Sequence, residues 1–482
     1  MQCFSRLNKS KSILFAILLV VAPGAVAQES QPVRISQDIC RDMAVENNKK
    51  IRIARKQAEK SGFDRNAVKA LYFPKLSGYG GYLYTNTTLA TSIAGGYLPV
   101  FKPSADGTLK PDLALNPATG APIIGADGNP VFNSYAYMPD ISLKIDPSGT
   151  FMAGLKLEQP IYMGGKIIAA NKMAELGKEM TQLNLRYTRN EVILKSDEAY
   201  WQYLRVKELV KTAEAYLELV SALEKQVSDA HKVGMVRRSD LLKVQVKKNE
   251  AELQVSQARN ALELSAMALC HVMGLPLLTQ LETEETMLDA EAPVFTDEDY
   301  VRERPEYSIL GKEAELRKRE MQIVRADYLP QVGGVVNYGY ANGLDLNGTK
   351  LMDNASFSAM VSVNVPIFSW GEGRNKVRSK KMEQEMAVLK QEEVAEQLEL
   401  EIAAARTNLE DAWLRVEMTT KSMRQADENL RESKDMYEVG FETLADYLEA
   451  QTQWQKAVND RIDALSGYNL GKSKYLKAIG KL

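Results

Sequence analysis

The sequence predicts a mixed α+β membrane protein built from one module that occurs twice in the chain. Three observations support this class: an internal repeat, four segments with the alternation of β-strands, and two long stretches without proline. In each copy the expected order is strand, strand, very long helix, tight turn and returning helix. Because tandem supersecondary units constrain an architecture strongly, the repeat is the most informative of the three observations.

Two offsets relate the copies. A segment that ends at Pro160 returns 206 residues later, ending at Pro366, and each is followed by Ile-aromatic-x-x-Gly. An earlier Tyr-Φ-Pro motif at Pro74 returns 256 residues later at Pro330. The first copy therefore contains an insertion of 50 residues. We expect this insertion to form a long extracellular loop over residues 86–148, because eight prolines lie there and membrane barrels keep their long connections outside.

The chain is expected to divide into four parts. Residues 1–27 predict a secretory signal peptide, because basic residues precede an apolar run that ends near Ala25-Val26-Ala27. The first repeat is expected over 28–275 and the second over 306–482. Residues 276–305, rich in Glu, Asp and Thr, are expected to form an equatorial linker between them.

Period-2 alternation predicts two strands in each copy. From Phe357 to Ile367 the odd positions are apolar and mostly polar residues lie between them, which is typical of a strand with one apolar face. The other strands are predicted over 76–84, 151–158 and 332–340. At about ten residues, a strand tilted by about 45° spans a hydrocarbon core. A soluble sandwich is the alternative, but four strands cannot bury themselves alone.

Four strands cannot close a barrel either, so oligomerisation is expected, and three chains would supply twelve strands. Aromatic residues at the strand ends suit the interface with membrane lipid. They are Tyr72, Tyr162, Phe368 and Trp370.

Helices are predicted where proline is missing. Runs of 115 and 116 residues without proline begin at Ile161 and Ile367, and proline inside a helix costs about 3 kcal/mol. The helices after Gly165 and Gly371 are expected to approach about 70 residues, or about 100 Å. Heptad spacing within both indicates coiled-coil packing. No stretch after the expected signal approaches 18 consecutive apolar residues, so no membrane-spanning helix is predicted.

Composition argues against other classes. The chain has 61 basic and 63 acidic residues, a balance that gives no indication of a nucleic-acid partner. Beyond the expected signal only Cys40 and Cys270 remain, and they form either a disulfide or two buried thiols. His231 and His271 are not spaced with carboxylates or cysteines as a catalytic or metal-binding set. No enzyme activity, metal or cofactor is therefore predicted.

Taken together, the tandem copies and their repeated motifs resemble the bacterial outer-membrane efflux proteins, the TolC family. The shared motifs include Asn47-Asn48 and Arg304-Pro305-Glu306, which open the two copies, and Val-Gly followed by Asp and Gln at each helical turn. The resemblance covers essentially all of the chain after the signal. It implies a homotrimer in the outer membrane, with a twelve-stranded β-barrel continuous with an α-helical coiled-coil tunnel in the periplasm.

Such channels dock onto a periplasmic adaptor protein and an inner-membrane transporter. The resemblance thus implies a passive exit duct of a tripartite efflux pump or a type I secretion system. The alternative is a periplasmic coiled-coil stalk or spacer without a pore. The four alternating strands favour the channel, because a stalk does not need them.

The resemblance assigns adaptor contact to two Val-Gly-Φ turns. Glycine there also has a local reason, because a sharp helix reversal needs a residue that tolerates positive φ. The apolar residues beside the glycines have no such reason and indicate a partner surface. The six residues are Val233, Gly234, Met235, Val439, Gly440 and Phe441.

A pore constriction is implied beyond the second turn. Asp446 and Glu449 lie three apart on one helical face and align with the paired aspartates that ring the family's periplasmic mouth. Three chains would place six carboxylates around the pore, which favours cations. A solvated acidic face is the alternative reading.

Further gate positions match Tyr437 and Asp240. Where the family has an arginine two residues after the second turn glycine, this sequence has Glu442. A closing salt bridge between position 442 and Asp240 is therefore not expected. Arg237 or Arg238 could instead pair with Glu442.

Overall fold

The computed structural model describes residues 32–283, 290–295 and 300–482. The expected signal peptide lies outside the described residues, as do residues 284–289 and 296–299 of the expected linker. The described chain forms two compact units, each assembled from discontinuous segments. The first contains residues up to 58, 181–309 and 392–482, and the second contains residues 59–180 and 310–391.

The elements follow the duplication along the chain. The helices are α1 (Gln37–Asn47), α2 (Lys49–Lys69), α3 (Lys166–Lys232), α4 (Arg238–Met273), α5 (Pro305–Ala326), α6 (Glu372–Glu438) and α7 (Leu444–Ala478). The strands are β1 (Val33–Arg34), β2 (Lys75–Leu83), β3 (Leu89–Ile93), β4 (Gly96–Pro99), β5 (Phe101–Pro103), β6 (Leu109–Pro111), β7 (Tyr135–Met138), β8 (Ile141–Asp146), β9 (Thr150–Met163), β10 (Leu281–Glu282), β11 (Gln331–Leu346) and β12 (Thr349–Asn364). In the part of the chain that these elements cover, no helix is both long enough and apolar enough to cross a membrane.

The two predicted long helices are confirmed. Helices α3 and α6 each contain 67 residues and begin and end at the same positions of the repeat. The returning helices α4 and α7, of 36 and 35 residues, also begin at equivalent positions. Proline-free sequence allows these lengths because no backbone donor is lost and no ring interrupts the helical ladder.

Much of the predicted heptad stripe of α3 is buried. Tyr216, Val220, Leu223 and Val227 are at most 3% exposed, and they pack with residues of α4 and α7 in one apolar cluster. Most of the corresponding α6 stripe is only half-buried. In this cluster the first hairpin therefore contributes more buried apolar side chains than the second.

The motif that opens the second copy has a structural role in the helical unit. The buried Arg304 guanidinium donates two hydrogen bonds to the Glu306 carboxylate, over 2.6 and 3.2 Å, and one to Glu401 over 3.2 Å. It also donates to the Ala478 carbonyl over 2.9 Å. A buried guanidinium is tolerable here because all three of its nitrogens have partners.

The second unit contains an antiparallel sheet whose four main strands have the order β2-β9-β11-β12. The register places the apolar positions of neighbouring strands opposite one another, as in the row Leu76, Leu157, Val336 and Ala359. Paired residues share a face of a sheet, so one face is apolar across all four strands. On strand β9, Gly154 leaves room for the Tyr79 ring: a Cβ there would lie 2.7 Å from the Tyr79 hydroxyl oxygen.

The strand predictions are confirmed in position but not in length. The four main strands contain 9, 14, 16 and 16 residues rather than about ten. The prediction that the last strand reaches Ile367 is wrong, because β12 ends at Asn364, opposite Gln331, where β11 begins. Beyond this pair no further partner for β12 is found among the described residues, and Pro366 carries no amide hydrogen to donate.

Residues 86–148, expected to form a long loop, have regular secondary structure. This segment contains six short strands, and β3 pairs with β8, β4 with β7 and β5 with β6. Its prolines do not prevent pairing because they lie at strand ends and turns, as Pro99 and Pro103 do. The insertion therefore continues the first hairpin of the sheet.

Candidate functional site

The two helical turns have the same hydrogen bonds. In the first, the Gly234 amide donates to the His231 carbonyl over 3.0 Å and the Met235 amide donates to the Ala230 carbonyl over 2.9 Å. In the second, the Gly440 and Phe441 amides donate to the equivalent carbonyls over 3.1 and 2.9 Å. This is the Schellman arrangement, which places the C′ residue in the left-handed region. The two glycines have φ of 82° and 83°, as the sequence predicted.

Apolar side chains at both turns are exposed. Met235 and Phe441 follow the glycines and are 82% and 86% exposed, and Val233 and Val439 precede them and are also exposed. In a Schellman turn the residue after glycine commonly packs back on its own helix. Here neither does, so each turn presents two adjacent apolar side chains to solvent.

Asp446 has a local structural role that the sequence analysis missed. It is the third residue of α7, where its carboxylate accepts from the Thr443 amide over 3.3 Å and from the Thr443 hydroxyl over 2.6 Å. The Thr443 hydroxyl oxygen accepts from the Asp446 amide over 3.3 Å, which completes a capping box. The spacing Thr443-x-x-Asp446 was a recognisable signal for such a cap.

The equivalent residue of the first copy, Asp240, makes a different contact. Helix α4 begins after Arg237, whose side chain makes no cap, and the Asp240 carboxylate lies 3.3 Å from the Lys243 ammonium group. Glu449 is exposed, and its carboxylate accepts from the Gln453 amide group over 3.0 Å. Glu449 also lines an open, mainly apolar groove between α4 and α7, together with Leu242, Val246 and Leu448.

Tyr437 lies close enough to Asp240 for the carboxylate to act on its hydroxyl group. Burial raises the pKa of the Tyr437 hydroxyl, and the negative charge of Asp240 and the neighbouring Tyr447 raise it further. The two tyrosine rings stack, with centroids 5.3 Å apart. The second hairpin is thus closed near its turn by an aromatic pair beside a carboxylate of the first hairpin.

Glu442 is half-buried, and its Oε2 atom has no hydrogen-bond partner in the described part of the chain. Arg237 and Arg238 are exposed, and neither forms an ion pair with another residue that the structure describes. Within one chain, therefore, Glu442 and the two arginines are not paired with each other. All three groups are available to a neighbouring molecule.

The two hairpin ends carry opposite charge, a signal that was present in the sequence but was not used. Residues 225–250 contain seven Lys or Arg and three Asp or Glu. The equivalent residues 431–456 contain three Lys or Arg and six Asp or Glu. The repeat thus preserves the turn while the surrounding charge reverses.

A buried polar residue also distinguishes the second hairpin. Gln451 is fully buried, and neither atom of its side-chain amide has a hydrogen-bond partner among the described residues. Ser433 on α6 is buried as well, and its hydroxyl also lacks a partner there. The matching positions of the first hairpin are Val227, which is buried, and Gln245, which is only half-buried. A buried amide without a partner is unfavourable, and the first hairpin has no such residue at these two positions.

The two cysteines lie in one buried apolar cluster at the other end of the returning helix α4. Cys40 and Cys270 are both fully buried, and no disulfide joins them in the described chain. Burial raises the pKa of the Cys270 thiol. Of the two alternatives that the sequence left open, the structure shows two buried thiols. The described residues also contain no group of three or more His, Cys, Asp and Glu arranged to hold a metal ion.

Comparison with known proteins assigns a family to this architecture. The sequence matches the model of the outer membrane efflux protein family over residues 40–275 and 309–469. The chain therefore belongs to the outer membrane efflux protein family, and the resemblance to TolC-type channels is confirmed. This is a family of channel proteins rather than enzymes.

Similar solved structures share the fold. The Campylobacter jejuni CmeC outer membrane channel superposes with a TM-score of 0.69 at 17% identity, covering 92% of this chain and 85% of that one. The open-state MtrE outer membrane channel of Neisseria gonorrhoeae gives a TM-score of 0.68 at 15% identity, covering 92% and 88%. At these identities the likeness concerns the fold alone.

A curated relative is the cobalt-zinc-cadmium resistance protein CzcC of Cupriavidus metallidurans. The two sequences are 24% identical over 205 residues, which is 40% of this chain. The match spans about half of the relative's length, 49%.

Proposed function

We propose that this protein is a passive outer-membrane exit duct of a tripartite efflux or secretion system. One observation carries the proposal: the four main strands of the sheet share an apolar face, and the outer two, β2 and β12, each pair with only one other described strand. Unpaired edges in a hydrocarbon environment are very unfavourable, and closure into a barrel removes them. Membership of an outer membrane efflux family supports the same reading.

The proposed assembly is a homotrimer. Four main strands per chain would give a barrel of twelve strands, an even number within the usual range for outer-membrane barrels. The barrel would continue into a tunnel of coiled-coil helices reaching into the periplasm. The length of α3 and α6, 67 residues each, supports a tunnel of this kind.

The hairpin ends would form the periplasmic mouth and meet an adaptor protein that connects the duct to an inner-membrane transporter. The exposed apolar side chains at both turns, Val233, Met235, Val439 and Phe441, support adaptor contact there. Asp446 and Glu449 would line the constriction. Tyr437, Asp240 and Glu442 would hold neighbouring hairpins in the closed state.

Divalent metal ions are the first substrates to test. The relative CzcC is a cobalt-zinc-cadmium resistance protein, and an acidic second hairpin suits the passage of cations. Drugs and proteins are the other substrate classes that such ducts export.

Two measurements test the proposal. Cross-linking of the purified protein in detergent should give a species of three chains, and the same preparation should form channels in planar lipid bilayers. A stable monomer or dimer contradicts the assembly. A trimer that forms no channels identifies the alternative, a coiled-coil stalk without a pore.

A further inference from the structure

The insertion of the first copy is an ordered extension of the sheet, which we call the arm (residues 89–146). Strand β2 pairs with β9 up to Leu83 opposite Thr150, and β3 then pairs with β8 from Leu89 opposite Ile145. Between the β2–β9 ladder and the β3–β8 ladder the pairing register shifts by a single residue. The β4–β7 ladder has the same register as the β3–β8 ladder. Strands β2 and β3 therefore lie on one line, along one edge of a single long hairpin.

The base of the arm is fixed to the rest of the sheet. Asn347 lies in the turn between β11 and β12, and its side-chain oxygen accepts a hydrogen bond from the Lys144 amide over 2.7 Å. Its own amide donates to the Lys144 carbonyl over 2.9 Å, and its side-chain nitrogen donates to the Ser142 carbonyl over 2.9 Å. Strand β8 also pairs with the end of β11 at Ile145 opposite Leu346. The arm thus continues the plane of the sheet instead of folding away from it.

The free edges of the sheet differ in length. Strand β12 pairs with β11 alone among the described strands, and it has 16 residues. The opposite edge, β2, has only 9 residues, so it can match at most nine of the sixteen. Strand β3 adds five residues on the same line and pairs only with β8 in the described structure. Together β2 and β3 provide an edge of nearly the length of β12.

Apolar side chains at the base of the arm are exposed in the described part of the chain. Leu89, Ile93 and Ile141 are 63%, 51% and 42% exposed and lie on the paired strands β3 and β8. Exposed apolar residues grouped on a strand pair are typical of a surface that another element covers.

We propose that β3 pairs with the outer part of β12 from a neighbouring copy of this chain, so that the insertion is part of the seam between subunits. Strand β2 forms the inner part of the same seam. The inference rests on the proposed trimer, and it adds that closure between copies needs residues that only the first repeat contains. The partner is a second copy because its β12 edge has the required length and antiparallel direction.

Cysteine cross-linking tests the seam. Thr91→Cys is combined in turn with Leu351→Cys, Asp353→Cys and Ala355→Cys, and oxidation with copper phenanthroline follows. We expect at least one pair to give covalent oligomers on a non-reducing gel. The inner part of the seam is tested in parallel by Ser77→Cys combined with substitutions on the second half of β12. They are Ser358→Cys, Met360→Cys and Ser362→Cys.

The outcomes separate the two proposals. Inner pairs that cross-link while no outer pair does would leave the trimer standing and overturn the role of β3. If no pair cross-links at all, the proposed trimer fails together with the inference.

Two deletions provide an independent readout. Replacing residues 94–140 by Asn-Gly keeps β3 and β8, and replacing residues 84–149 by Asn-Gly removes them. We expect only the second deletion to lower the temperature at which the trimer dissociates in dodecyl sulfate. The expected decrease is about 10 °C or more, because a strand pair between subunits is lost. Equal dissociation temperatures for both variants would contradict the inference.

Discussion

Tyr437 stacks on Tyr447 across the second helical hairpin, with ring centroids 5.3 Å apart and planes inclined by 20°. Tyr437 lies near the end of α6 and Tyr447 near the start of α7, so the stack joins the two helices one turn from the reversal at Gly440. The charge of Asp240, on the first hairpin, acts on the Tyr437 hydroxyl. The stacked tyrosines therefore join the two helices of the second hairpin at a point where the first hairpin also acts on them, through Asp240.

The Tyr437 hydroxyl should titrate above the ordinary tyrosine value of about 10, because burial and Asp240 favour its neutral form. Because the folded-state pKa of Tyr437 is raised, the contribution of its neutral hydroxyl to the stability of the fold is complete below the ordinary pKa. That contribution is lost as the pH rises through the folded-state pKa. Burial also raises the pKa of Tyr203 and Tyr468, so ultraviolet titration should show several late-titrating tyrosines, and Tyr437→Phe should remove one of them. An unchanged titration curve in that variant would contradict the assignment.

Shortening the same side chain should weaken the hairpin. Tyr437→Ala is expected to cost about 2 kcal/mol, below the range for fully buried aromatics because the ring is half-buried. Tyr437→Phe keeps the stack and serves as the matched control. Single-channel recordings should show longer openings for the alanine variant only; equal behaviour of both variants would assign the effect to the hydroxyl.

The acidic collar can be separated from the helix cap. Replacing Asp446 by Asn and Glu449 by Gln should lower cation selectivity, because the charges of six carboxylates in a trimer disappear. The measurement is the reversal potential in planar bilayers with asymmetric salt. Asp446 also caps α7, so Thr443→Ala is needed as a control that loses the cap, at about 1 kcal/mol, and keeps the charge.

A reversal potential that moves in Thr443→Ala as much as in the double variant would show that the collar effect is structural. Glu449→Gln alone is the cleanest test of charge, because the Glu449 carboxylate takes no part in the cap. An unchanged potential in every variant would mean that both acids face away from the pore.

Glu442 is expected to pair with Arg237 or Arg238 of a neighbouring hairpin in the closed state. Exposed pairs contribute about 0.5 kcal/mol each, so three of them shift the closed-to-open ratio about tenfold. Glu442→Gln should therefore raise the open probability, because it removes the charge without adding a new partner. Glu442→Arg should instead favour closure, because it restores the pairing with Asp240 that the family resemblance implies.

The matched variant is Arg237→Gln/Arg238→Gln, which removes the same pair from the other side and should also open the channel. If it does not, Glu442 has another partner. High salt should reduce the difference between wild type and Glu442→Gln, because ions screen exposed pairs.

Both thiols should stay reduced and unreactive in the folded protein. Cys40 and Cys270 are fully buried, and the raised pKa of Cys270 lowers its thiolate fraction. Ellman's reagent at pH 8 is expected to detect no thiol in native protein and two per mature chain after denaturation. A chain that migrates differently with and without reductant would instead reveal a disulfide.

Much of this architecture could be predicted from local sequence. The long helices were predictable because a missing proline and a heptad stripe are properties of the chain itself. Strand ends were less predictable, because they depend on the partner: β12 ends at Asn364 where β11 begins, although its apolar alternation continues to Ile367. The same Pro-Ile-aromatic motif remains inside β9, where the register shift opposite Val332 and Gly333 accommodates the proline.

The hairpin ends show a second limit. Local spacing identified Gly234 and Gly440, and Thr443-x-x-Asp446 was visible as a cap signal. The contact of Tyr437 with Asp240 required the family resemblance, because the two residues are nearly 200 positions apart. The burial of Gln451 had no sequence signal at all, since glutamine is normally exposed.

The arm extends a hairpin at its far end, and this makes it a natural site for grafting. Residues added beyond β5 and β6 leave every pair between Leu89 and Ile145 in place, because a hairpin's register is fixed from its base. The turn closed by the Ser104 amide and the Thr108 carbonyl, 2.8 Å apart, is the point of lowest interference. A foreign peptide inserted there would leave the pairs of β3 with β8 and of β4 with β7 unchanged, so the arm can accept added sequence without a change in the register of its base.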